Sequence, residues 1–116
     1  MSLLEELKDK GVDIEEGLHR MMNNVSLYER MLRSFPKMMK GLEIPVDFDG
    51  TDYAEIIEKA HSVKGAAGNL SLTPVYKGYT EIVDLLRKGQ PEQAREVLVK
   101  LLPVQKEIID CIEKHS

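Results

Sequence analysis

The sequence contains no tryptophan, only two phenylalanines and a single cysteine among its 116 residues. Because one thiol cannot form an internal disulfide, a disulfide-stabilised scaffold is excluded and the cytoplasm is the expected compartment. With few aromatic side chains available, we expect an aliphatic core that methionines help to fill. The methionines expected in this role are Met21, Met22, Met31, Met38 and Met39.

Long hydrophobic runs and basic segments are also absent. No apolar stretch approaches the roughly 20 residues of a membrane-spanning helix, and Glu5 follows Met1 too closely for a signal peptide. The net charge is -4, and no cluster of lysines and arginines is interleaved with aromatic residues. We therefore expect a soluble protein that has neither membranes nor nucleic acids among its partners.

The chain has instead apolar residues at helical spacing along most of its length. After Gly11, every segment has one apolar stripe and one polar face, and none alternates with the two-residue period of a strand. We predict a single all-α domain over residues 1–116. Its expected architecture is an antiparallel four-helix bundle, with a core at about 26–112 and a short additional N-terminal helix. The main helices are expected to begin at Ser26, Asp52, Thr73 and Pro91.

Capping signals support these helix starts. Ser26 and Asp52 are each followed three residues later by a glutamate, which is the pattern of a capping box. Thr73 precedes Pro74, and proline is tolerated in the first helical turn because the amide hydrogen it lacks would have no partner there. Further upstream, Asp13 is expected to cap a short helix over residues 14–23.

The stretch from Tyr53 to Leu72 carries the one histidine that is predicted to face solvent in the middle of a helix. At about 100° per residue, His61 projects roughly 120° from the centre of the apolar stripe, with Lys64 one turn further on. The stripe itself consists of Tyr53, Ile56, Ile57, Ala60, Val63, Ala67 and Leu70.

Two glycines beside this histidine are unusual in a helix, because each costs about 1 kcal/mol relative to alanine. We interpret Gly65 and Gly68 as leaving the ring of His61 open to a large partner. The alternative is that small residues let another helix approach closely, and we prefer that explanation for Ala66 and Ala67.

The eleven residues AHSVKGAAGNL, from Ala60 to Leu70, closely resemble the phosphorylation-site helix of histidine-containing phosphotransfer (HPt) domains. That family has the pattern H-x-hydrophobic-K-G followed by small residues. The run GVDIEEGL, from Gly11 to Leu18, resembles the N-terminal part of the same family. The chain departs from the family at Ser71, where glycine is frequent. It also lacks a glutamine between Thr73 and Lys88, where some members place a phosphate ligand.

The resemblance implies that His61 carries a phosphoryl group as phosphohistidine in a multistep two-component phosphorelay. An exposed imidazole is largely neutral at pH 7, so its free nitrogen lone pair can attack an acyl phosphate. Lys64 is a point charge that can offset charge on the transferred group. The docking surface for the partner would include Ala54, Glu58, Gly65, Gly68 and Asn69.

The expected partners are receiver domains of response regulators and of hybrid sensor histidine kinases. The chain has no P-loop, no kinase glycine-rich loop and no cluster of carboxylates grouped with His61. We therefore expect a phosphoryl carrier and not an enzyme, without its own cofactor, nucleotide or metal site, whose receiver partner supplies the aspartate and magnesium. We expect the protein to be a monomer.

Other hypotheses stay open at this stage. A non-catalytic adaptor or inhibitor could bind a sensor kinase or receiver domain through the same face, and its binding would survive the loss of His61. His61 could also be an ordinary surface histidine on a helical bundle. A third alternative is a segment of a larger hybrid kinase, against which Met1 is a weak argument.

Two weak metal signals are set aside. Asp47 and Asp49 superficially match a calcium loop, but Asp52 stands where the EF-hand requires glycine. Cys111 and His115 are four residues apart on a predicted helix, yet two ligands do not make a zinc site.

Overall fold

Six helices and no strand make up the chain in the computed structural model, which describes all 116 residues. The prediction of an all-α chain is confirmed. No helix combines the length and the apolar character that crossing a membrane would require. The helices are α1 (Leu3–Asp9), α2 (Ile14–Arg20), α3 (Val25–Met39), α4 (Ala54–Asn69), α5 (Thr73–Arg87) and α6 (Pro91–Lys114).

Helix α5 packs between α4 and α6, and α6 also contacts α3 and α1. The short α2 contacts both α1 and α3, so the N-terminal helices lie against the later ones. One hydrophobic cluster of 26 buried residues draws on all six helices. Burial of these apolar faces against one another is the main stabilising contribution.

The core is less rich in methionine than the composition suggests. Met39 is only 3% exposed, but Met22 is 90% exposed and Met31 is 40% exposed. The largest buried side chains are instead Tyr28, Tyr79 and Phe35. Because the hydroxyl of a buried tyrosine needs a hydrogen-bond partner, the two tyrosines bring polar contacts into the core along with apolar area.

The start of α3 differs from the prediction. Asn24, not Ser26, caps this helix, because its side chain accepts a hydrogen bond from the Leu27 amide at 3.0 Å. Met22 and Asn23 adopt left-handed backbone conformations, with φ of 56° and 60°. These two residues turn the chain sharply after α2, and the cap of α3 lies two residues before the predicted one.

The predicted caps of α4 and α5 are also wrong. Asp49 accepts hydrogen bonds from the amide and the hydroxyl of Thr51, at 2.8 and 2.7 Å. These bonds hold the loop that precedes α4, and Asp52 does not cap the helix. Helix α4 then starts after Tyr53, without a side-chain cap. Thr73 is the first residue of α5, not its cap, and its hydroxyl donates to the Ser71 carbonyl. Only Asp13 caps as expected, by accepting from the Glu16 amide.

Gly17 on α2 makes room for the side chain of Tyr28, which comes from α3. A Cβ placed on Gly17 would overlap the ring and the hydroxyl of Tyr28. That hydroxyl passes over α2 and donates a hydrogen bond of 2.7 Å to the carbonyl of Leu70, at the end of α4. Gly17 is therefore needed for the contact that connects the three helices.

We predict that Gly17→Ala lowers the free energy of unfolding by about 1–3 kcal/mol, because the added methyl group must displace the buried Tyr28 ring. Urea denaturation followed by circular dichroism measures this difference. Gly41→Ala is the matched control, since its nearest neighbour, the Met38 carbonyl oxygen, lies at an ordinary 3.9 Å. Equal stability of the two variants would contradict the proposed role of Gly17.

Candidate functional site

Helix α4 presents His61 to solvent in its middle, as its spacing predicts. The ring is exposed, whereas the neighbouring Ala60 and Val63 are fully buried. Ala67 and Leu70 continue the buried stripe towards the end of the helix. The helix therefore separates an apolar face in the core from a free face that carries the histidine.

The residues predicted to surround His61 lie on this free face. They recur at steps of three or four residues along α4, so their side chains share one side of the helix. Four of the five predicted docking positions are exposed, and Gly68 is half-buried. The exposed positions are Ala54, Glu58, Gly65 and Asn69.

The two glycines differ in their surroundings, which the sequence did not indicate. A Cβ on Gly65 would meet no atom within 4 Å, so this position opens directly onto solvent beside His61. A Cβ on Gly68 would lie 3.0 Å from Cδ1 of Tyr76, so this glycine lets the ring on α5 pack closely. Close packing within the chain thus explains Gly68 but leaves Gly65 without a structural reason.

His61 and Lys64 line a cleft of about 500 Å³ that α4 shares with α5 and α2. Three of its lining residues are cations, and two of these, Arg20 and Lys77, were not predicted from the sequence. Lys64 and Lys77 form no ion pair within the chain. The remaining lining residues are Asp13, Glu16, Gly65, Gly68, Asn69, Ser71, Thr73 and Tyr76.

Helix α2 is tied to the turn after α4 by Glu16. Its Oε1 accepts a hydrogen bond from the Ser71 hydroxyl at 2.8 Å and another from Nε of Arg20 at 3.4 Å. The Asp13 amide donates to the Ser71 carbonyl at 3.1 Å. These contacts bring α2 to the cleft, although it lies some forty residues before His61 in the chain.

Ser71 occupies a strained position in this turn. It has a φ of 56° and is only 2% exposed. A residue with a Cβ in the left-handed region costs about 1–2 kcal/mol, and the bonds to Glu16 and Asp13 offset that strain. Ser71 therefore adopts a backbone conformation that glycine favours, and its hydroxyl holds α2 through Glu16.

Tyr28 supports the same turn from the core. Burial, and then the charges of Asp13 and Glu16, raise the pKa of its hydroxyl to about 12. The hydroxyl consequently stays protonated and donates to the Leu70 carbonyl at any pH near neutrality. This bond satisfies a carbonyl oxygen that the end of a helix would otherwise leave without a partner.

The cleft contains carboxylates but no metal-ligand cluster. Oδ1 of Asp13 caps α2 and Oε1 of Glu16 binds Ser71, so one oxygen of each carboxylate makes a structural contact. The one group of three or more ligand-type side chains in the chain lies elsewhere, at Glu6, Cys111 and His115.

No family model matches this chain, and comparisons with curated proteins and with solved structures return no match. The interpretation of the cleft accordingly depends on its own residues. The cleft combines an exposed imidazole, three cationic side chains and an open position at Gly65. Such an arrangement places an imidazole beside positive charge, which favours anionic ligands.

We predict that Gly65→Ala is more stable than Gly68→Ala by about 1–2 kcal/mol. Alanine improves helix propensity by about 1 kcal/mol at either position, but only at Gly68 must the added methyl group push back the Tyr76 ring. Thermal and urea unfolding of both variants measure the difference. If the two were equally stable, close packing would not explain Gly68.

Proposed function

We propose that this protein is a histidine phosphotransfer protein, which relays a phosphoryl group between receiver-domain aspartates in a multistep two-component phosphorelay. The observation that carries the proposal is the exposed His61 in the middle of α4, with Lys64 one turn on and open space at Gly65. The resemblance of Ala60–Leu70 to the phosphorylation-site helix of HPt domains supports the same conclusion.

In this proposal α3 to α6 form the antiparallel four-helix bundle of an HPt domain, and the short α1 and α2 pack at its end. The packing of α5 between α4 and α6, and of α3 against α6, supports this arrangement. The left-handed turn at Ser71 is compatible with the glycine that the family often has there, because the backbone conformation is one that glycine favours.

The chemistry proposed for His61 is reversible transfer. A neutral ring nitrogen attacks phosphorus in the aspartyl phosphate of a receiver domain, so that an N–P bond forms while the P–O bond to the aspartate breaks. The aspartate regains its carboxylate, and the other ring nitrogen loses its proton to solvent. Transfer to a second receiver is the reverse step. The partner contributes magnesium, and this chain acts as a carrier and not as an enzyme.

Cations of the cleft would stabilise the phosphoryl group. Lys64 lies on the same helix as His61, and Arg20 reaches the cleft from α2 with only its Nε bonded, to Glu16. Positive charges near transferring phosphoryl oxygens lower the barrier without covalent participation. We propose that Arg20 and Lys77 supply positive charge here, where some family members use a glutamine.

The docking surface would be the free face of α4. Ala54, Gly65 and Asn69 are small or short, and Glu58 lies between them on the same side of the helix. A receiver domain must bring its aspartate within bonding distance of the ring, and small residues permit that approach. The open position at Gly65, next to His61, is where the two backbones would come closest.

The decisive experiment is transfer of labelled phosphate from a phosphorylated receiver domain, with magnesium present. We predict that the wild type takes up label that is stable in alkali and lost in acid, as expected of a phosphoramidate, and that His61→Gln takes up none. His19→Gln is the matched control, because His19 is another exposed histidine and does not line the cleft. Equal labelling of the His61→Gln variant would exclude His61 as the acceptor.

The same experiment distinguishes the relay from a binding module. If neither the wild type nor His61→Gln takes up label, yet both bind a receiver domain or sensor kinase equally well, the protein is an adaptor or inhibitor. Lys64 and Gly65 would then be docking residues only.

We predict that Arg20→Ala slows phosphoryl transfer about tenfold, equivalent to about 1.4 kcal/mol of transition-state stabilisation. Single-turnover transfer rates measured at saturating receiver separate this effect from weaker docking. Arg20→Lys should restore part of the rate because it keeps the charge. Arg30→Ala, an exposed arginine outside the cleft, is the control. An unchanged rate in Arg20→Ala would show that Arg20 does not stabilise the transferred phosphoryl group.

A further inference from the structure

A second group of reactive side chains lies where the N-terminal helix meets the C-terminal end of α6. Glu6 comes from α1, Cys111 from α6, and His115 directly follows α6. One ligand atom from each, a carboxylate oxygen, the thiol sulfur and a ring nitrogen, lies within 4.8 Å of the other two. None of these residues lines the cleft at His61.

Cys111 and His115 both contact Glu6, but only the contact of Cys111 is a hydrogen bond. The thiol of Cys111 donates to Oε2 of Glu6 at 3.4 Å. Nε2 of His115 lies 3.2 Å from Oε1 of Glu6. This nitrogen is shielded from solvent, and its contact with Glu6 is an ion pair that does not meet the geometry of a hydrogen bond. A buried ring nitrogen without a well-formed hydrogen bond is unusual and needs a physical reason.

We propose that Glu6, Cys111 and His115 form a zinc site, in which three protein ligands bind Zn²⁺ and a water molecule completes a tetrahedron. A thiolate, an imidazole and a carboxylate together are typical zinc ligands, whereas magnesium and calcium prefer oxygen ligands alone. The proposal gives the ring nitrogen of His115 a ligand bond in place of its poorly formed contact, and it does not depend on the phosphotransfer function.

The distances are near those that such an ion requires. Tetrahedral coordination with bonds of roughly 2.0 Å to nitrogen or oxygen and 2.3 Å to sulfur separates ligand atoms by roughly 3.3–3.6 Å. Nε2 of His115 lies 3.2 Å from Oε1 of Glu6, and the sulfur of Cys111 lies 3.4 Å from Oε2, the other oxygen of the same carboxylate. The sulfur and the ring nitrogen lie within 4.8 Å of each other. Rotation of these side chains would complete the site if it brought one carboxylate oxygen, the sulfur and the ring nitrogen to these separations.

The charges around the cluster are compatible with binding. Lys114, whose Nζ lies 3.2 Å from Oε1 of Glu6, is the main cause of a pKa of about 2 at that carboxyl, so the group is ionised. A carboxylate can accept from a lysine and bind a metal at once, because its two oxygens offer four lone-pair positions. The positive charge of Lys114 opposes a cation, and the charges of Glu6 and the thiolate together offset it.

The thiol must lose its proton on binding. Burial, followed by the bond to Glu6, raises the pKa of Cys111, so the metal-free protein holds this group as S–H. Zinc displaces that proton: the S–H bond breaks, an S–Zn bond forms, and the proton leaves to solvent. A groove of about 240 Å³, lined by Glu6 and Cys111 together with Lys10, Glu107, Asp110 and Lys114, connects the sulfur to solvent.

The consequence of such a site would be structural. Glu6 and Cys111 are separated by 105 residues, so the ion would join the two ends of the chain. An ion that binds only the folded state stabilises it by mass action. The helix α1 has seven residues and is too short to persist without such tertiary contacts.

The proposal is tested by titrating the full, tag-free, reduced and metal-stripped protein with Co²⁺, which reports on zinc sites by its absorption. We expect one equivalent of Co²⁺ to bind, with a thiolate-to-cobalt charge-transfer band and the intense visible bands of a four-coordinate ion. Added Zn²⁺ should displace the Co²⁺ and remove both sets of bands. The melting temperature should rise with added Zn²⁺ in the wild type.

Variants then assign the ligands. Cys111→Ser should abolish the charge-transfer band, and Glu6→Gln and His115→Gln should each weaken Co²⁺ binding by about tenfold or more. His19→Gln, an exposed histidine outside the cluster, should bind as the wild type does, and circular dichroism should confirm that each variant is folded. If the wild type gave no charge-transfer band, or if Glu6→Gln and His115→Gln kept its full affinity, the cluster would be an ion-pair network and the proposal would be wrong.

Discussion

The turn between α4 and α5 is the constraint on which the candidate site depends. Ser71 is held there in a left-handed conformation by Glu16 and Asp13, while Tyr28 bonds the preceding Leu70 carbonyl. These bonds fix the end of the helix that carries His61, and they also hold α2 beside it. Without them the cleft would lose the wall that contributes Arg20.

The histidine helix itself could be predicted from the sequence because its determinants are local. A period of 3.6 residues decides which side chains share a face, and it correctly separated the buried Ala60 and Val63 from the exposed His61. Helix starts were harder, since several polar residues compete to cap. Asn24 caps α3 in place of Ser26, and α4 begins without the cap that the local pattern assigned to Asp52.

The remainder of the site could not be predicted, because tertiary contacts determine it. Gly65 and Gly68 look equivalent in the sequence, and only the position of Tyr76 shows that one is packed and the other open. Arg20 carries no motif that would connect it with His61, and Glu6 lies at the opposite end of the chain from Cys111. In each case the surroundings of a residue depend on contacts with a helix that is distant in sequence.

Both candidate sites take essential residues from the short N-terminal helices. With seven residues each, α1 and α2 are too short to be stable in isolation, so tertiary bonds must hold them in place. Those bonds are the same ones that build the sites: Glu16 holds Ser71 at one, and Glu6 meets Cys111 and Lys114 at the other. Because polar contacts depend on direction more than apolar packing does, they fix where these helices lie. These polar contacts add direction to the anchoring that burial of Leu3, Leu7 and Ile14 in the core already provides.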